Sequence, residues 1–159
     1  MVSKALRAVQ LIVVRPRRAW LMVRVATWTV VLSSTVRFCS LPTALNLLTV
    51  KPAGKSGASF DQPEIVSAVD AVLGMNVLVF KPICWKRATL LHRFLGLRGC
   101  DTTIVFGLRK DPAGSLADHA WLENAGKPIL EPDEPNCTVT YRFPSAERCN
   151  VELDRLRHT

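Results

Sequence analysis

One change of periodicity in mid-chain constrains the fold more than any other feature of the sequence. Over residues 84–99 apolar residues recur at helical spacing: Ala88, Leu91 and Leu95 form a stripe, and Leu90, Phe94 and Leu97 widen it. Beyond Gly99 the pattern becomes short runs of β-branched and alternating residues separated by turn signals. Residues 102–109 read as one strand and 118–123 as a second. Asn124, Ala125 and Gly126 then turn the chain, and 127–131 return antiparallel beside the second strand. Residues 137–143 add a further strand. A helix leading into a small antiparallel sheet predicts an α+β domain with the helix packed on the sheet.

The helix has legible ends. Pro82 stands just before its start and Gly99 suits a left-handed cap at its close. Cys84 therefore opens the helix, near the positive end of its dipole and within about a turn of Lys81, Lys86 and Arg87. Each of these influences favours the nucleophilic thiolate. Upstream, Asp61 followed by Glu64 reads as the capping box of a structural helix, with Ile65, Val66, Val69, Val72 and Leu73 as its buried stripe.

A thiol needs a base, and His119 on the second strand is the candidate. The hairpin return brings Glu131 near the level of His119, where a carboxylate holds one ring nitrogen and stabilises the imidazolium. Asp133 is the alternative third member, because sequence does not set the register. Taken singly, each residue has an ordinary explanation: a buried thiol, an exposed histidine, a strand-end charge. The order helix, strand, hairpin return makes them one constellation. His92 lies eight residues up the helix from Cys84, turned away from it, and His158 falls in a polar tail.

The motifs 79–88, 95–99, 104–110 and 119–123, with the His-Ala-Trp run at their end, resemble the leader peptidases of lasso-peptide (microcin) maturation. These belong to the transglutaminase-like, papain-related superfamily. Residues 15–20 and 40–45 resemble the N-terminal region of the same proteins. The resemblance implies a cysteine peptidase that cuts the leader from a ribosomally made precursor peptide, with Cys84 as nucleophile, His119 as base and Glu131 as the acid. It also implies ATP-dependent processing, a separate leader-recognition protein and a cyclase as partners; no ATP contact carries over residue by residue. The sequence departs from the family pattern in having Glu131 where Asp is usual, and Asp118 where a small residue is usual.

Other chemistries find little support. Five cysteines, an odd number with no C-x-x-C pair, argue against a disulfide scaffold or a structural zinc and fit a reducing, cytoplasmic compartment. Gly54-Lys55-Ser56 ends like a phosphate-binding loop, but Thr49 occupies the place of its first glycine, so no cofactor is evident and 51–60 reads as a linker. The net charge of +8 is an N-terminal property: residues 1–60 hold nine Lys/Arg and no acid. Basic residues interleaved with long aliphatics do not resemble a nucleic-acid surface. The charge-free stretch 25–36 is too short to span a bilayer.

The expected organisation is therefore helical residues 1–50, the linker, a transglutaminase-like core over 61–145 and a polar tail over 146–159. One or two amphipathic helices in the first part would pack on the core or dock a partner, with contact to a membrane surface left open. Two rival functions share the scaffold: an acyltransferase or deamidase using the same residues, and a peptide-binding relic without catalysis.

Overall fold

In the computed structural model the described residues are 16–48, 60–110, 115–131, 133 and 135–144. Four helices precede a four-stranded antiparallel sheet. Helix α1 spans Pro16–Phe38, α2 Leu41–Leu48, α3 Gln62–Leu73 and α4 Cys84–Gly96. The strands are β1 Thr103–Lys110, β2 Leu116–Asn124, β3 Lys127–Ile129 and β4 Thr138–Phe143, in the spatial order β3-β2-β1-β4.

Each element follows from local sequence. In α1 a proline opens the helix, and Leu21, Val25, Thr29 and Leu32 form one buried stripe against α3 and α4. The Thr29 hydroxyl satisfies itself by donating to the Val25 carbonyl at 2.8 Å. Helix α3 begins at the Asp61 cap, whose backbone N–H donates to Glu64 Oε2 at 3.0 Å, and buries Ile65, Ala68, Val69, Val72 and Leu73. Val66, expected in that stripe, is only partly buried at its edge.

Helix α4 ends as a helix at Gly96, three residues before the expected cap. The chain continues in tight turns to Gly99, which takes φ +78°, and the Cys100 N–H reaches back to the Leu95 carbonyl at 3.1 Å. That long return bond with a left-handed glycine is the Schellman closure, so the glycine signal marks the end of the turn, not of the helix.

The core lies between the helices and one face of the sheet. Leu21, Val25 and Leu32 of α1, Leu90, Leu91 and Leu95 of α4, and Ile104, Ala120, Leu122 and Phe143 of the sheet belong to a single buried cluster. Helix α1 is thus built into the same core as the sheet. Strand β1 pairs with β2 so that Gly107 faces His119 and Phe106 faces Ala120, and β4 adds on its other side with a register shift between Phe106 and Gly107. The expected hairpin is present, with Ala125 and Gly126 both at positive φ, as a tight two-residue turn demands. Residues 1–15, 49–59 and 145–159, which include Gly54-Lys55-Ser56, Cys149 and His158, lie outside the described residues.

Candidate active site

Cys84 is the first residue of α4, preceded by Ile83 in an extended conformation with no side-chain cap on the helix. The first intrahelical bond runs from the Arg87 N–H to the Ile83 carbonyl, so the amides of the opening turn face outward from the helix end beside Cys84. A small cavity of about 120 Å³ is lined by Cys84, Arg87, Ala88 and Leu91 from α4, by His119 from β2, and by Leu130 and Glu131 from the chain after β3.

His119 and Glu131 meet: Nε2 and Oε2 are 3.2 Å apart, with the Glu131 side chain largely buried. An ionised carboxylate only accepts, so Nε2 carries the hydrogen and Nδ1 is left with a lone pair in the neutral ring. Strand β3 stops at Ile129, and Leu130 takes φ +61°; that left-handed step turns Glu131 out of the strand and toward the imidazole. Asp133, the alternative acid, lines a second cavity of about 280 Å³ with Arg109, Asn136 and Cys137. His119 and Glu131 line both cavities. Among the described residues no hydrogen bond joins Cys84 to His119; they share a cavity wall.

The carboxylate is held from its other side by a residue that sequence reasoning assigned to a different task. Arg87 Nε and Nη2 donate to Asp70 of α3 at 2.7 and 3.3 Å, while Nη1 donates to the Leu130 carbonyl at 3.3 Å and lies 3.7 Å from Glu131 Oε1. Its hydrogen bonds to Asp70 reinforce the charged guanidinium against the cost of partial burial. Arg87 thereby ties α3, α4 and the chain after β3 to one point. Its position one turn beyond Cys84, on the same helical face, was the available signal.

Lys86 is likewise committed to a partner of its own. Its Nζ donates to the Val79 carbonyl at 2.9 Å, and burial, with Lys81 nearby, moves its pKa below the ordinary lysine value. Two of the three cations expected to act directly on Cys84 are thus committed to carboxylates and a carbonyl. The reason is burial: a charge on the core side of α4 needs a partner of its own.

The imidazole has a second support, from a buried ring on its own strand. Trp121, two residues along β2, stacks on His119 with ring centroids 5.9 Å apart and planes 19° apart. Trp121 Nε1 donates to Glu123 Oε1 at 3.2 Å, and Glu123, buried, is paired through its other oxygen with Arg142 of β4. Gly107 leaves room for the indole: a Cβ there would stand 2.9 Å from Trp121 Cζ3 and 2.9 Å from Cys137 Cβ. His92, by contrast, is structural. Its Nδ1 bonds the Thr102 hydroxyl at 2.8 Å, its ring meets Phe143 edge-on, and desolvation lowers its pKa.

A model described as the transglutaminase-like superfamily matches residues 26–142. The chain belongs to the transglutaminase-like superfamily. No curated protein and no solved structure matches the chain. The matched span begins within α1, as does the buried core, and ends in β4. This superfamily includes cysteine peptidases and acyltransferases, and the α+β arrangement of helices on a small antiparallel sheet is the expected one. Among the described residues, no group of three His, Cys, Asp or Glu side chains is placed to hold a metal.

Proposed function

We propose that this transglutaminase-like protein is a cysteine peptidase that removes the leader from a ribosomally made precursor peptide. The observation that carries the reading is the 3.2 Å contact between His119 Nε2 and Glu131 Oε2, at the wall of the cavity that also holds Cys84. The order of motifs supports the leader-peptide substrate, and superfamily membership supports the thiol chemistry.

In this reading Cys84 Sγ attacks the scissile carbonyl while His119 Nδ1 takes its proton. The tetrahedral intermediate collapses by breaking the C–N bond, and His119 returns the proton to the departing amine. Water then attacks the thioester, giving a proton to His119, and the free acid leaves as Cys84 is restored. Glu131 keeps the imidazole in one tautomer and balances the imidazolium, and Arg87 holds Glu131 in place. The outward-facing amides of the first turn of α4 supply donors for the oxyanion.

A second reading, acyl transfer, has one observation in its favour. The larger cavity, which His119 and Glu131 also line, offers an amine a place beside the base, from which it would approach the thioester in competition with water. Incubation with a leader-bearing precursor peptide and mass spectrometry separates the two. Hydrolysis gives two fragments whose masses sum to the substrate plus one water; transfer gives a ligated product. No product, with or without a leader-recognition protein, a cyclase and ATP, would leave only a peptide-binding role. The unpaired thiols of Cys39, Cys84, Cys100 and Cys137 suit a reducing, cytoplasmic setting for the same chemistry.

A further inference from the structure

Helix α1 is apolar on two sides, and only one of them faces the core. Opposite the buried stripe, Trp20, Val23, Thr27, Val30, Val31, Ser34 and Phe38 fall on a narrow outward arc at 100° per residue, and all are exposed. Trp20 is 61% and Phe38 83% exposed. No charge interrupts this arc over about 27 Å of helix. Of the two cations within the span, Arg24 leans inward over the Phe94 ring at 5.8 Å and Arg37 lies beside the arc in the last turn. The arc's main hydroxyl needs no water, because Thr27 donates to the Val23 carbonyl at 2.9 Å; Thr35 beside it donates to Val31 at 2.7 Å. Arg37, exposed in the last turn, flanks the arc at its C-terminal end; before the arc, Arg17 lies over the Phe60 ring at 5.3 Å and Arg18 donates to the Ser67 hydroxyl at 2.8 Å.

We propose that this face of α1 seats the protein on an anionic bilayer surface, with Trp20, Val23, Val30, Val31 and Phe38 entering the headgroup–acyl boundary and Arg37 meeting lipid phosphates. By length and composition, α1 is also the one described helix apolar enough to cross a membrane. Its inner stripe is committed to the core, however, so it lies on the bilayer and does not traverse it. Charge decides among the occupants. Residues 1–60 carry nine cations and no acid, which opposes a second copy of the same face and complements anionic lipid. A protein partner would call for hydrogen bonds across the contact, and the arc's threonine donates to its own helix. The inference is independent of the catalytic reading, since no residue of the arc lines the active-site cavity.

The test is co-sedimentation of the full chain with phosphatidylcholine vesicles, plain or containing about 30 mol % phosphatidylglycerol. Binding is expected to the anionic vesicles, weak on the plain ones and falling as salt rises. The double variant V23D/V30D should bind about tenfold or more weakly with an unchanged circular dichroism spectrum, and the milder V23S/V30S should fall between. Absence of binding by the parent chain would overturn the proposal. So would variants that bind as tightly as the parent, or a parent dimer that the same substitutions dissociate.

Discussion

Glu131 carries more of the site than its single charge conveys, because its two oxygens answer to different masters. Oε2 meets His119 and Oε1 faces Arg87. Replacing it by Gln keeps the shape and removes the charge that stabilises the imidazolium, so Glu131→Gln should lower turnover of a peptide substrate by about 10²-fold or more. Glu131→Asp shortens the reach by one methylene and cannot span both partners; turnover should fall less, about tenfold, while Asp133→Asn changes little. Steady-state kinetics of the three variants checks the order. His92 gives a separate prediction about stability. Its pKa is lowered by burial, so the unfolded chain binds the proton more readily; stability is complete above pH ~6.5 and declines as pH falls below it. Urea midpoints at pH 7.5 and 5 should diverge for the parent chain and diverge less for His92→Gln.

The elements around the site show how much of this was legible in the chain. The switch from helical to alternating periodicity after Gly99 identified α4, β1 and β2 to within a few residues, because amphipathic packing on one core imposes those periods. The hairpin was legible because Ala125-Gly126 supplies the positive φ that the turn needs. What the chain did not disclose was tertiary: that Arg87 would leave Cys84 for Asp70 and Glu131, or that Leu130 would twist to present Glu131. Both depend on neighbours brought in from other elements. The Trp121 support was equally hidden, since it depends on Arg142 of β4, which pairs with Glu123, and on the space at Gly107. It makes two predictions measurable by thermal unfolding. Gly107→Ala places a methyl against Trp121 and should cost about 1–3 kcal/mol, with loss of activity exceeding that expected from unfolding alone. Arg142→Met leaves the buried Glu123 oxygen unpaired and should cost about 1–3 kcal/mol.

Across the whole molecule, two layers meet at one seam. The helical layer brings a thiol at the start of α4, and the sheet layer brings a base and its acid around the β3 edge. Arg87 fastens the seam, so Arg87→Met should loosen α3, α4 and the chain after β3 together, with activity lost before the global transition in a urea titration. Helix α1 closes the far side of the core and leaves an apolar face outward. The layer that holds the candidate site and helix α1 thus share one hydrophobic interior.

The most direct test of the thiol–imidazole pairing is the rate at which iodoacetamide labels each cysteine, read by peptide mass spectrometry at neutral pH. If His119 serves Cys84, that thiol labels faster than Cys100 and Cys137, and His119→Ala slows Cys84 selectively while leaving the other two unchanged. Equal labelling of the three thiols, or a Cys84 rate indifferent to His119→Ala, would contradict the pairing.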